Sequence, residues 1–156
     1  MDSVMAPVEV LHIDLLTEDR AEELADQLLE MTHDSAWDDW GREQLLSSRA
    51  EKWERSLLAT RGGRPVAWAI VSRTDQGAHV HHLVVAADER SAGVGSLVMR
   101  EVFRRTRPGV VTSKVHPDNE AAARWHLRLG FDEQPPSPSG YRVFSRNPND
   151  HEEPAT

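Results

Sequence analysis

The sequence of 156 residues contains no cysteine. This absence excludes disulfide bonds, thiolate metal ligands and a cysteine nucleophile, and it favours direct transfer if the protein is a catalyst. The chain also lacks an apolar run of about 18 residues, the length needed to cross a bilayer. Its first residues lack the basic and then apolar pattern of a secretory signal. We therefore expect a cytoplasmic protein that binds no metal and no membrane.

Basic residues are too few to balance the acidic ones, and the formal net charge is −8. Nucleic-acid binding requires a dense basic face that displaces counterions, so we expect no nucleic-acid partner. The segment from Arg90 to Arg107 differs, since its five arginines face one acid, Glu101. This segment would suit a compact polyanion such as a nucleotide-containing cofactor, although a solvated helix face can have the same composition.

Length and composition predict one domain over residues 1–146, followed by a polar tail, 147–156, that we expect to be disordered. Hydrophobic periodicity and turn residues divide the domain into strands and helices. Strands are predicted at about 8–15, 56–60, 66–71, 78–85, 110–115, 131–134 and 141–146. Helices are predicted at about 17–31, 36–50, 94–105 and 119–129.

The order of these elements predicts how the strands pair. Tight turns join the strands at 56–60, 66–71 and 78–85, which should form an antiparallel meander. The strand, helix and strand from 78 to 115 form a βαβ unit, whose two strands should be parallel neighbours. We expect a mixed, mostly antiparallel α/β sheet of six or seven strands, flanked by about four helices.

The stretch 78–95 combines two chemical features. It begins as an alternating strand that should place His79 and His81 on one face and His82 on the other. It ends in Arg-x-x-Gly-x-Gly, Arg90 to Gly95, directly before a helix. Free backbone N–H groups and the positive end of the helix dipole at such a turn suit a phosphate-bearing ligand.

Two motifs carry a family resemblance. The first is Arg90 to Gly95, with Val85 five residues before it, and the second follows the pattern Asn-x-x-Ala-x-x-aromatic-x-x-Arg-x-Gly-Phe from Asn119 to Phe131. Together with the order of elements, they resemble the Gcn5-related N-acetyltransferase (GNAT) superfamily over about residues 8–146. The resemblance implies a sheet whose central strands splay apart to form an acyl-CoA cleft.

The resemblance implies acetyl-CoA as cosubstrate and a set of residues that bind it. The glycine loop would bind the pyrophosphate through backbone N–H groups, and the preceding strand would pair with the pantetheine arm. Asn119 would contact the cofactor, serve as a helix N-cap, or do both. The implied cofactor-binding residues are Leu83, Val84, Val85, Arg90, Ser91, Ala92, Gly93, Val94, Gly95, Ser96, Asn119 and Arg128.

The strand Ala78-His79-Val80-His81 resembles that of the arylalkylamine (serotonin) N-acetyltransferases, in which two histidines relay protons from the amine through water. An alkylammonium with a pKa of about 10.4 is protonated at pH 7, and only the free amine attacks a thioester. An imidazole with a pKa of about 6.5 is a reasonable proton acceptor. His79 and His81 are therefore implied as catalytic bases, the alternative being that they pack within the sheet.

One position departs from the family pattern. Where the family usually has a tyrosine that protonates the departing thiolate, this chain has His126. The proton could come from His126, from water or from another residue such as Tyr141, and His126 could instead only line the pocket.

The acceptor site is expected near the first two helices, where aromatic and acidic residues cluster. Trp37, Asp38 and Trp40, with Tyr141, would bind a cationic amine through cation–π and charge contacts, unless the tryptophans are core residues. The predicted function is acetyl transfer from acetyl-CoA to a primary amine of a small molecule, by direct attack in a ternary complex. Protein or peptide N-acetylation and a catalytically silent acyl-CoA-binding module are the alternatives, and a homodimer is possible.

Overall fold

The computed structural model of the chain describes residues 10–32, 41–90 and 92–148. The strands are β1 Leu11–Leu15, β2 Leu57–Arg61, β3 Arg64–Thr74, β4 Gly77–Val85, β5 Val110–Val115, β6 Asp132–Gln134 and β7 Arg142–Arg146. The helices are α1 Glu18–Glu23, α2 Ala25–Glu30, α3 Gly41–Leu46, α4 Lys52–Arg55, α5 Val94–Thr106 and α6 Glu120–Arg128, with a 3₁₀ turn at Ala87–Glu89.

All seven strands form one sheet in the order β1-β2-β3-β4-β5-β7-β6. The pairs are antiparallel except for β4 and β5, which are parallel neighbours across the α5 connection. The mixed, mostly antiparallel α/β architecture is therefore confirmed. No helix in these described ranges is long and apolar enough to cross a membrane.

The helices that precede β2 differ from the prediction. Thr17 caps α1 as expected, its hydroxyl accepting from the N–H of Arg20 at 3.2 Å. The expectation of one continuous helix to residue 31 is wrong, because Leu24 has ψ near 7° and separates α1 from α2. The helix predicted over 36–50 ends at Leu46, and α4 was not predicted. Residues 1–9, 33–40, 91 and 149–156 lie outside the described residues.

The sheet is covered on both faces. On the first face, β-strand residues pack with α5 and α6 in a cluster that includes Val98, Phe103 and Phe144. On the second face, Trp68 and Val84 pack with residues of α1, α2 and α3. The Trp68 indole N–H donates to the carbonyl of Leu28 at 2.9 Å, so this buried donor is satisfied. Burial of both faces anchors the central strands.

Two irregularities of β4 shape the centre of the molecule. The pairing of β3 with β4 shifts between Ile70, opposite His82, and Val71, opposite Val80, which leaves His81 as an extra residue in a β-bulge. The pairing of β4 with β5 ends at Val80. Beyond that point no strand of the described chain pairs with β4 on its β5 side, so the two strands enclose an opening.

The closed end of this opening requires glycine. A Cβ on Gly77 would overlap the backbone of Val110, the first residue of β5. The absence of a side chain therefore allows β4 and β5 to meet at one end while they separate at the other.

Candidate active site

The opening between β4 and β5 is part of a cleft of about 1380 Å³. One end is formed by the loop before α5, the middle by β4 and α6, and the other end by residues of α3, β5 and the loop before β7. The cleft therefore contains both chemical features of the stretch 78–95.

The loop end of the cleft has a backbone suited to an anion. Gly93 has φ of 79°, a left-handed conformation that side chains rarely adopt, and no side chain caps α5. The first N–H groups of a helix have no partner within the helix, so those of α5 are available to a ligand. A Cβ on Gly95 would lie 3.4 Å from Cγ2 of Val85, so this glycine lies directly beside the end of β4.

The other predicted cofactor residues are placed in different ways. Leu83, Val84, Val85, Arg90, Gly93, Gly95, Ser96 and Asn119 line the cleft. Val94 is fully buried and offers only its backbone, Ala92 and Arg128 are exposed without lining the cleft, and Ser91 lies outside the described residues.

Two side chains of this set also hold the structure around the cleft. The Arg90 guanidinium donates from Nε to the carbonyl of Val85 at 3.0 Å, so it joins the loop to the end of β4. The Oδ1 of Asn119 accepts from the N–H of Ala122 at 3.2 Å, which confirms the N-cap of α6. Asn119 also lines the cleft, so a ligand can contact it while it caps the helix.

His79 and His81 lie together beside the opening. Their ring centroids are 4.6 Å apart in an edge-on arrangement. Nδ1 of His79 is 2.7 Å from Oγ1 of Thr112 on β5, and Nε2 of His81 is 2.6 Å from Oγ of Ser72 on β3. Each imidazole thus has a hydroxyl partner that can pass a proton onward.

The expectation that His82 faces the other side of the sheet is wrong. Ala78 and Val80 pack on the first face, so His79 points to the second. The bulge at His81 adds one residue and resets the alternation. The His82 ring consequently lies 5.3 Å from that of Trp68, which belongs to the second face.

Both histidines of the pair are uncharged at neutral pH. Burial, with the positive charges of Lys114 and Arg49, lowers the pKa of His79 to about 4. Burial, with the adjacent His79 and the positive charges of Arg49, Lys52 and Lys114, lowers the pKa of His81 to about 3. A neutral imidazole can accept a proton, but at such a low pKa it would release that proton at once. The geometry suits a relay better than a proton store.

His126 is enclosed between α6 and the sheet. Its Nδ1 is 2.7 Å from the carbonyl of Ala122, which can only accept, so Nδ1 carries a hydrogen. Its Nε2 is 3.0 Å from Oγ of Ser113. The side chain is 5% exposed, and burial lowers its pKa. Burial therefore favours the neutral ring, although the hydrogen bond to Ala122 acts in the opposite direction, and a neutral ring has no additional proton for a thiolate at neutral pH.

The predicted acceptor residues are only partly described. Tyr141 lines the cleft, and its ring lies 5.9 Å from that of His116. Trp37, Asp38 and Trp40 lie outside the described residues. Among the described residues, no group of three or more His, Asp or Glu side chains could hold a metal ion.

Sequence reasoning missed the polar partners of the site. Ser72 and Thr112 contact the histidines only because of strand register, which no local pattern reveals. Lys114 follows Thr112 by two residues on β5, so alternation could have placed it on the same face once the pairing was known. Arg49 lies between α3 and α4, and no motif indicates it.

Comparison with protein-family models finds a match that covers most of this chain. The model of the acetyltransferase (GNAT) family matches residues 17–131. A search of curated protein sequences finds no significant match.

Solved structures share the fold at low sequence identity. The ribosomal-protein-S18-alanine N-acetyltransferase of Escherichia coli is 18% identical, with a TM-score of 0.68 over 88% of this chain and 93% of its own. PaiA N-acetyltransferase of Thermoplasma acidophilum, in complex with coenzyme A, is 11% identical, with a TM-score of 0.69 over 88% and 99%. Arabidopsis thaliana Naa50, with a bisubstrate analogue, is 16% identical, with a TM-score of 0.63 over 88% and 98%.

Proposed function

Because the chain belongs to the acetyltransferase (GNAT) family, we propose that it transfers the acetyl group of acetyl-CoA to a primary amine of a small molecule. Attack would be direct, in a ternary complex, since the chain has no cysteine to carry the acetyl group. The observation that carries this proposal is the single cleft that joins an anion-binding helix terminus to a pair of neutral histidines.

The donor would lie along the open edge of β4. The N–H groups at 93–96 would bind the pyrophosphate, helped by the positive end of the α5 dipole, whereas that of Ala92 already donates to the carbonyl of Glu89 at 3.2 Å. The backbone of Leu83 to Val85 would pair with the pantetheine arm, which would continue the sheet where β5 diverges. This arrangement would place the thioester carbonyl near the point where the two strands separate.

The acceptor would enter beside His79 and His81. Its nitrogen attacks the thioester carbonyl carbon, the carbon–sulfur bond breaks, and the nitrogen loses a proton as the amide forms. The neutral imidazoles would accept that proton and pass a proton to water, directly or through the hydroxyls of Ser72 and Thr112, each of which would release its own hydrogen as it accepts one. The resemblance to arylalkylamine N-acetyltransferases rests on the paired histidines of β4. It concerns this proton path and does not concern the substrate.

The CoA thiolate must also receive a proton. His126 also lines the cleft, but burial favours its neutral form and both ring nitrogens are hydrogen-bonded inside the protein, which makes it the least supported of the three donors considered. We assign this step to Tyr141, whose side chain lines the cleft, or to water. His126 would then hold Ser113, and with it the end of β5, against α6.

Thiol release from acetyl-CoA over a panel of primary amines tests the proposal. Replacing both histidines, His79→Ala with His81→Ala, should lower kcat by about 10²-fold or more, because a positioned base contributes on that order. Affinity for acetyl-CoA, measured by calorimetry, should change little. His12→Ala on β1 is the matched control, since this exposed histidine is outside the cleft.

Three outcomes are informative. Unchanged turnover in the double variant would refute the role of the histidines. Acetyl-CoA binding without thiol release for any amine would favour a silent binding module. Release with peptides alone would favour protein N-acetylation, the activity named for some of the structural neighbours.

We further propose a single domain over residues 1–146, a cytoplasmic location and a possible homodimer.

A further inference from the structure

The acceptor end of the cleft is basic. Beyond His79 and His81, its lining includes two cationic side chains, Arg49 and Lys114. The other polar residues of this end are neutral or aromatic: Gln44, Ser72, Thr74, His116, Ser139 and Tyr141. Within the described part of the chain, no aspartate or glutamate lines the cleft.

Neither cation is neutralised by the described part of the molecule. Arg49 donates from Nε to Oγ of Ser47 and from one terminal nitrogen to Oε1 of Gln44, both at 3.2 Å, and both acceptors are uncharged. Lys114 is exposed on β5 and makes no ion pair with a described carboxylate. By contrast, Arg142 outside the cleft pairs with Glu133 and Glu120.

Both charges act on the histidine pair. Lys114 follows Thr112, the partner of His79, by two positions and therefore points to the same face of the sheet. Lys114 and Arg49 lower the pKa of both histidines, which indicates that their fields reach the place where the acceptor nitrogen would lie. The same fields would favour loss of a proton from an ammonium and would attract a negative group.

We propose that the acceptor is an amine that also carries an anionic group, a carboxylate or a phosphate, which binds Arg49 and Lys114 while its nitrogen faces His79 and His81. This inference rests on the proposed acetyl transfer and narrows its substrate class. The guanidinium of Arg49 has a planar fork that matches a carboxylate or phosphate in a two-bond contact. Simple arylalkylamines and lysine-rich peptides lack this group and would bring positive charge to a basic surface.

Matched pairs of amines test the substrate class by turnover. Each pair differs in the anionic group alone: phenylalanine against phenethylamine, tryptophan against tryptamine, and phosphoethanolamine against ethanolamine. We expect the anionic member to have a kcat/KM roughly tenfold higher or more, since charge-assisted hydrogen bonds are about twice as strong as neutral ones. The amino acid and phosphate arms distinguish the two anions. Equal or higher values of kcat/KM for the members that lack the anionic group would overturn the inference.

Substitutions test whether the two cations cause the preference. Arg49→Gln and Lys114→Gln should each reduce the ratio of kcat/KM between the members of a pair, mainly by raising KM for the anionic member. Arg124→Gln is the control, because this exposed arginine of α6 lies outside the cleft and its loss changes the net charge equally. A ratio that is the same in all three variants would contradict the inference.

Binding provides a readout that does not depend on turnover. Calorimetry with CoA present compares N-acetylphenylalanine with N-acetylphenethylamine, and N-acetyltryptophan with N-acetyltryptamine. Preferential binding of the acids, lost in Lys114→Gln, would support the inference even if no amine released thiol, in which case only the proposed function would fail. Equal binding, or no binding of either member, would overturn the inference.

Discussion

The low pKa of His79 makes a quantitative prediction about stability. In the unfolded chain a histidine has a pKa of about 6.5, and in the folded protein burial lowers that of His79 to about 4. As the pH falls from 6.5 towards 4, the unfolded state binds a proton that the folded state does not. Stability is therefore lost on acidification through this window, and below about pH 4 both states are protonated.

The magnitude follows from the two pKa values. Between pH 7 and pH 5, His79 alone should remove about 2 kcal/mol from the free energy of unfolding, and the limit is about 3 kcal/mol at lower pH. His79→Gln should remove this contribution. The difference in the free energy of unfolding between wild type and variant should therefore decrease by about 2 kcal/mol between pH 7 and pH 5. Urea unfolding followed by far-ultraviolet circular dichroism at several pH values measures it.

A control separates titration from the loss of a hydrogen bond. Thr112→Val removes the hydroxyl beside Nδ1 of His79 but keeps the imidazole, so we expect it to retain a pH dependence close to that of the wild type. If the free energy of unfolding had the same pH dependence in the wild type and in the His79→Gln variant, the reasoning would be refuted. His79 would then titrate near 6.5 in the folded protein, and it could store the proton of the amine rather than relay it.

The remaining predictions concern acetyl-CoA and its thiolate. Gly93→Ala should destabilise the loop by about 1–2 kcal/mol, because a side chain at φ of 79° is strained, and should raise KM for acetyl-CoA. Gly63→Ala is the control, because Gly63 has φ of 78° in the β2–β3 turn and is equally free of neighbours. It should lower stability similarly without changing the KM for acetyl-CoA. An equal change of this KM in both variants would contradict the role of the loop. Tyr141→Phe should lower kcat with little change in KM for acetyl-CoA if the phenol protonates the thiolate. An unchanged kcat in steady-state thiol release would assign that proton to water.

The structure changes the meaning of the histidine motif. Alternation treats His82 as separate from His79 and His81, whereas the bulge at His81 places all three on the second face of the sheet. The bulge also allows the His79 and His81 rings to meet edge-on. A strand that reads as regular in the sequence thus contains the irregularity on which the proposed proton path depends.

His126 illustrates how packing limits a chemical assignment. The sequence allows a histidine at the position of the usual tyrosine to act as an acid. In the fold, Phe131 and Phe144 lie about 5 Å from its ring, and Ala122 and Ser113 occupy its two nitrogens. Burial among aromatic rings disfavours the imidazolium ion, so the role as acid requires a charge partner that these contacts do not provide.

Local features of this protein could be determined from its sequence alone. Strand β5 has the predicted bounds, 110–115, because valine and threonine, which favour strands, fill most of this short segment between turn residues. Thr17 and Asn119 cap helices as predicted, since a cap depends on a hydrogen bond to a residue three positions away. The glycine loop before α5 and the βαβ pairing of β4 with β5 are similarly determined by nearby residues and chain connectivity.

The tertiary structure alone decided what surrounds the histidines. The bulge depends on the register between β3 and β4, and the contacts of His79 and His81 with Thr112 and Ser72 depend on which strands are neighbours. Arg49 and Lys114 are distant in sequence, and only the fold brings both to the lining of one cleft. Burial, with these charges, lowers the pKa of both histidines. The sequence could therefore identify two histidines as a proton path, but only the fold could show that they are neutral and that the acceptor end is basic.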